Sequence, residues 1–384
     1  MFTHRGRSAT SVVLSLCAAG LLASGCGSAQ SGSSSSSGSA PSNDPVVKQA
    51  KAEIAKQMGS TAGYGGPKSG PKAQQANVVA FVASDMTNGG VAGVAKGVEQ
   101  AAKAIGWNLR VLDGKASVQG RTDAMSQAIA LKPAGIILGG FDATEQKVAI
   151  GQADAQGIPV VGWHAGPKTG PDKAAGLFTN VTTDPLDVSR LAALYAIAQS
   201  DGKAGVVILT DSQFQIAVDK ANAMKSEIQK CKGCSMLSYE NSPIADAQQR
   251  MPSLVSSLLQ KYGNKFTYML AINGNYFSGS RAALVDAGKK GSDAPYAVAA
   301  GDGDASEFER IRSADYQAAS VAEPLYLQGW QLIDELNRAL AHQSPSGYVA
   351  PPRLITKADV PTGGVFDPAT PYRADYEKIW GVSA

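Results

Sequence analysis

The chain reads as an α/β protein of two doubly wound parallel-sheet lobes with a cleft between them, and three observations predict this class. The stretch Asn77–Gly93, NVVAFVASDMTNGGVAG, runs from an apolar, β-branched strand through polar cap residues into an Ala- and Val-rich helix. Apolar runs and helical runs then alternate, pause at a Gly- and Pro-rich stretch over residues 166–176, and start again. At 384 residues there is room for two such units with a leader and a linker to spare. Open sheets of this kind bind ligands at the carboxyl ends of their strands, which puts Ser84, Asp85 and Asn88 at the crevice edge.

In chain order, Asp44 and Pro45 open a short helix reaching Met58, and an irregular link rich in Gly and Pro leads to the first strand. Strands of the first lobe are predicted at Val78–Ala83, Asn108–Leu112, Gly135–Leu138 and Pro159–Trp163. Helices fall at Gly90–Ile105, Thr122–Leu131 and Thr144–Gln156, the last capped by Asp142. A strand at Leu177–Val181 and a helix at Leu186–Gln199 follow. Second-lobe strands are predicted at Gly205–Leu209, Met236–Tyr239, Tyr268–Ile272, Ala297–Ala300 and Ala318–Val321. They alternate with helices at Ile216–Lys230, Ala247–Lys261, Phe277–Ala287 and Ala305–Ile311. The helix Leu325–Ala341 and the short run Leu354–Ile355 exceed what two equal lobes need, so the chain is expected to cross back between lobes. The tail from Gly363 carries Phe366, Tyr372, Tyr376 and Trp380, expected to pack on the body.

The amino terminus reads as a leader: His4, Arg5 and Arg7 precede an apolar segment, Ser11–Ala23, of secretory rather than membrane-spanning length. It ends Leu21-Leu22-Ala23-Ser24-Gly25-Cys26, which resembles a bacterial lipoprotein box, although Ala23 stands where a larger aliphatic residue is usual. That resemblance implies acylation of Cys26 and a lipid anchor on the outer face of the membrane. The Ser/Gly repeat from Gln30 to Asn43 cannot bury a core and suits a flexible tether. Cys231 and Cys234 remain in the folded body. With His164 and His342 far apart in sequence no zinc site is predicted, and the pair follows a helix instead of opening one, so a small structural disulfide is expected.

Charge assigns no partner. Lys and Arg number 35 against 32 Asp and Glu and are scattered, which argues against nucleic acid. Asn88-Gly89-Gly90-Val91-Ala92-Gly93 nearly matches a dinucleotide fingerprint, with Asp113 at the end of the second strand. The first glycine of that fingerprint is Asn88 here, and the chain is exported, so no nucleotide cofactor is expected. Neither a Gly-x-Ser-x-Gly elbow nor a His-Glu-x-x-His pair occurs, and no enzyme activity is predicted.

Ser84–Asn88, Ile158-Pro159-Val160-Val161, Ala271-Ile272-Asn273, Ala300-Gly301-Asp302-Gly303 and Val321-Ala322-Glu323-Pro324, in that order, resemble the ribose-type (type I) periplasmic binding proteins over Asn77–Ile355. These are solute receptors of sugar ABC importers. The resemblance implies three hinge crossovers, a first lobe of residues 77–182 and 324–350, and a second of 183–323 and 351–362. Flanking them are a signal peptide (1–25), a tether (26–44), an N-terminal extension (45–76) and a tail (363–384). It also implies a sugar or polyol ligand, an ABC permease as partner, and ligand-binding residues Ser84, Asp85, Asn88, Trp163, His164, Asn273, Asp302 and Glu323, with no cofactor and no metal. A receptor that presents its ligand to a membrane sensor is the alternative on the same fold.

The chain departs from the family at His164-Ala165, where an Asp-Arg pair is common, and at Gly90-Val91, where an aromatic pair is common. The family's second-lobe arginine falls near Val218, with no basic residue aligned. Stacking is therefore expected from Trp163, Tyr276 or Phe214. Each site residue has a structural alternative: Asp302 as cap of the helix near Asp304, Asn273 as a turn residue, Glu323 as a hinge residue before proline, Trp163 and His164 as packed core, and Asp85 as a solvated acid.

Overall fold

The computed structural model describes residues 43–58 and 63–382, so the leader, Cys26 and all but the end of the tether lie outside the described residues. The chain begins with α1 (Pro45–Gln57), β1 (Val78–Ala83), α2 (Gly89–Ile105), β2 (Asn108–Asp113), α3 (Val118–Ala130), β3 (Gly135–Gly139), α4 (Lys147–Asp154), β4 (Val160–Trp163), β5 (Gly170–Asp172) and β6 (Leu177–Val181). It continues with α5 (Pro185–Gln199), β7 (Gly205–Thr210), α6 (Gln215–Lys230), β8 (Ser235–Asn241), α7 (Ala247–Tyr262), β9 (Tyr268–Ala271), α8 (Asn275–Asp286), β10 (Tyr296–Ala299), α9 (Ala305–Ser313) and β11 (Gln317–Ala322). The last elements are α10 (Leu325–Leu340), β12 (Arg353–Thr356) and α11 (Tyr372–Trp380).

Two six-stranded sheets form, ordered β2-β1-β3-β4-β6-β5 and β12-β11-β10-β9-β7-β8. Central strands such as β1, β3 and β7 are apolar at nearly every position because helices cover both faces, the pattern that parallel sheets require. The sheets are not wholly parallel: β5 and β12 run antiparallel on their edges. β5 was hidden in the Gly- and Pro-rich stretch, which carries no strand periodicity. The chain passes between the sheets after β6, after β11 and before β12. Consequently α10 lies on the first lobe, crossing α2 where Gly329 and Gly97 meet; a Cβ on Gly329 would stand 2.5 Å from the Gly97 carbonyl carbon.

The termini pack as well. α1 lays Val47, Ala50 and Ile54 into the second-lobe core, beside Val188 and Leu191 of α5. The tail buries Phe366 against Tyr64 and Arg353 of β12, and Tyr372, Tyr376 and Trp380 on the first lobe, where Trp380 stacks on Trp330 at 5.6 Å and its Nε1 donates to Asp334 Oδ1 at 2.8 Å. Cys231 and Cys234 are bonded, S–S 2.12 Å, in the turn between α6 and β8.

Two local expectations are corrected. α3 starts at Val118 rather than Thr122 because the Ser117 hydroxyl accepts from Gly120 N at 3.0 Å, a cap that the apolar periodicity did not reveal. The helix expected from Thr144 begins as a 3-10 turn, Ala143–Gln146, before α4, and Asp142 makes no side-chain cap there. Its Oδ2 accepts instead from Gln215 N, at the start of α6 in the other lobe, at 2.9 Å.

Candidate functional site

Because both sheets are parallel in their centres, their strand ends face each other across the cleft. A cavity of about 70 Å³ lies between them. From the first lobe it is lined by Ser84, Asp85 and Asn88 after β1 and by Trp163 and His164 at the end of β4. The second lobe contributes Asp211, Gln213 and Phe214 after β7, Lys220 of α6, Asn273 after β9 and Asp302 after β10.

Local chemistry explains how several of these are held. Asn88 Oδ1 caps α2, accepting from Gly90 N at 2.9 Å and Val91 N at 3.3 Å. Asp85 accepts from the backbone and hydroxyl of Thr87, and Asn273 Oδ1 from Asn275 N at 3.2 Å, so both turn the chain while lining the cavity. Asp302 is not the cap of α9. Asp304 fills that role, accepting from Ser306 N at 2.7 Å and Glu307 N at 2.9 Å, which leaves the Asp302 carboxyl to the cavity. Tyr276 is packed core, its hydroxyl donating to the Ser242 carbonyl. Asp113, the expected ribose carboxylate of a nucleotide site, accepts from Lys115 N and Met86 N as a loop residue.

Glu323 does not line the cavity. Fully buried at the second crossover, it stands behind the wall and fixes residues that do. Its Oε2 lies 3.2 Å from His164 Nε2 and accepts from Gln328 Nε2 at 3.0 Å and Thr183 N at 3.3 Å; its Oε1 is 3.5 Å from Lys220 Nζ. Burial would raise this carboxyl, but the neighbouring His164 and Lys220 and the bonds from His164 and Gln328 hold it well below the usual carboxylate range. Burial lowers His164, with the Glu323 carboxylate opposing. With Nε2 turned to Glu323, the other ring nitrogen, Nδ1, lies 4.0 Å from Asp302 Oδ1. Trp163 stacks on His164, centroids 3.9 Å apart, and donates from Nε1 to Gln328 Oε1 at 2.9 Å, closing the network.

Asp302 is 5 % exposed and Lys220 3 %, yet no protein hydrogen bond reaches the Asp302 carboxyl or the Lys220 ammonium among the described residues. Burial pushes Asp302 well above the ordinary aspartate value, with Lys220 opposing. The ligand-type atoms of His164, Asp302 and Glu323 lie within 4.8 Å of one another. The Lys220 ammonium already supplies the positive charge there, and a metal ion would be set against it.

Lys220 is the residue that sequence reasoning missed. It stands two positions past Val218, where the family's arginine was sought, and its signal was helical spacing: Ile216, Lys220 and Met224 share the buried face of α6. Arg121 also lines the cavity but is committed to Glu145 by two bonds of 2.8 and 2.6 Å.

Two α/β lobes that meet over one polar cavity, with the chain crossing between them beside it, define a two-lobed receptor for a small solute. The sequence profile described as "Periplasmic binding protein domain" matches residues 79–344, and the chain belongs to that family, whose members are extracytoplasmic binding proteins and not enzymes. No curated protein matches the chain. Among solved structures it is similar to an ABC transporter solute-binding protein from Agrobacterium vitis bound with α-D-tagatopyranose (TM-score 0.66, 19% identity, 74% of this chain and 96% of that one). It is also similar to the binding-protein component of the arabinose ABC transporter of Shewanella sp. ANA-3 (0.64, 18%, 79% and 95%). A third relative is a solute-binding protein from Bacillus halodurans with bound myo-inositol (0.61, 14%, 76% and 96%). No helix among the described residues is long and apolar enough to cross a membrane.

Proposed function

We propose that this chain captures a small polyhydroxylated ligand, a sugar or polyol, between its lobes and delivers it unaltered to an ABC importer. The observation that carries this reading is the pairing of a buried acceptor and a buried donor, Asp302 and Lys220, both facing the cavity with no protein hydrogen bond. Buried polar groups are costly until satisfied, and a ring of hydroxyls that each donate and accept satisfies both at once. Ser84, Asp85, Asn88, His164 and Asn273 complete the polar lining, and Trp163 and Phe214 offer apolar wall; Glu323 acts through His164 and Lys220. Tagatose, arabinose and inositol in similar structures are ligands of this class. The leader and the Ser/Gly tether support anchoring through an acylated Cys26, with the folded body outside the membrane. Growing cells with labelled palmitate and comparing wild type with Cys26→Ala checks the anchor.

A thermal-shift screen of sugars, polyols and sugar acids, on protein lacking residues 1–26, tests the ligand class. At least one polyol or sugar is expected to raise the melting temperature, and Asp302→Ala to abolish the rise with little loss of fold. A variant that responds like the parent refutes this placement of the site.

A further inference from the structure

Resting on the reading of the chain as a receptor that shuts over its ligand, we propose that Gly89, Gly90 and Asp142, none of which lines the cavity, are positioning residues. They seat each lobe on a helix N-terminus of the other and so set how readily the lobes close.

The two seats are reciprocal. α6, in the second lobe, starts after Phe214, which offers no side-chain acceptor to the first turn. Asp142, in the first lobe, supplies one: its Oδ2 accepts from Gln215 N at 2.9 Å, while its Oδ1 is buried without a hydrogen-bond partner. In the opposite direction, the second-lobe acids Asp302 and Asp304 lie over the first turn of α2. A Cβ on Gly90 would stand 2.2 Å from Asp302 Oδ2 and 2.8 Å from the Asp302 Cβ; one on Gly89 would stand 2.3 Å from Asp304 Oδ2 and 2.7 Å from its Cβ. Turning the carboxylates aside does not relieve a clash that includes their Cβ atoms, so the lobes themselves must part. Acidic groups over helix N-termini are favoured by the partial positive charge there, which here acts between lobes.

The variants therefore separate closure from folding. Neither glycine has a positive φ, so in parted lobes alanine suits α2 better than glycine does. Around Asp142 stand Arg121 of α3, Glu145 of the following turn and Asp219 of α6, and burial raises its carboxyl. What α6 needs is an acceptor, which an amide supplies as well as a carboxylate.

The test places spin labels on ketone-bearing residues at the exposed positions 131 and 285, on the first and second lobes, in the full chain with no sugar added. Wild type is expected to show a population at the short, closed distance. G90A should lose at least tenfold of that population with an unchanged or higher melting temperature, D142A should lose part of it, and D142N should keep it. A closed population that G90A leaves intact, one absent from wild type, or a D142N that opens as D142A does overturns the proposal. Because no ligand enters the measurement, failure of the sugar screen and failure of this test are told apart.

Discussion

Replacing Lys220 with methionine isolates what the buried ammonium does. Glu323 would remain fully buried with its Oε1, already without a hydrogen bond, losing the ammonium 3.5 Å away. Breaking a buried pair from one side costs about 3–5 kcal/mol, because the surviving charge is left uncompensated. At roughly 2–4 °C per kcal/mol for a domain of this size, the melting temperature should fall by about 6–20 °C. Part of the loss is recoverable by protonation: without Lys220 the Glu323 carboxyl should rise, and the penalty should shrink as pH falls toward 4. The double variant Lys220→Met, Glu323→Gln removes both charges and keeps an oxygen for His164 and an amide for the wall. It should recover at least half of the lost stability, a coupling that a double-mutant cycle in urea measures at pH 7. A single variant that loses less than about 1 kcal/mol, or a double variant no more stable than the single, refutes the account of this pair.

Other consequences follow from burial and packing. Glu307 is wholly buried, bonded to Gly303 N at 3.0 Å and Gln317 Nε2 at 2.8 Å, and burial pushes its carboxyl up to about 7. A raised acid penalises the folded state only where the unfolded chain is ionised, so the penalty is absent below about pH 4.5 and complete above 7. The stability of Glu307→Gln relative to wild type should therefore improve by about 3 kcal/mol between pH 4 and 8, read from urea midpoints; a flat difference contradicts it. Gly329→Ala should destabilise by about 1–3 kcal/mol, since its Cβ would strike the α2 backbone, and calorimetry should show the first lobe melting early. The Cys231–Cys234 bond closes a short loop, so replacing both with serine should cost at most about 2 kcal/mol, with reductant producing the same shift in wild type.

Much of the fold was legible because its signals are local. Continuous apolar runs such as Val78–Ala83 mark strands covered on both faces, and Asn88 and Gly106 bracket α2 at its cap positions. Asn273 and Asp302 reach the cavity because strand ends on one edge of a parallel sheet must converge, which strand order alone implies. Glu323 was read from its position beside a crossover, but whether it touches ligand or stands behind the wall depends on the depth of the cavity.

The sequence by itself determined the alternation of strands and helices, the restart that makes two lobes, and which loops carry polar groups, because these depend on residues close in the chain. Only the tertiary structure decided that Lys220 compensates Glu323 and that Asp142 serves a helix in the other lobe. Those choices join residues far apart in the chain, and a buried charge or an uncapped helix takes whichever partner the packing brings within reach, which no local pattern encodes.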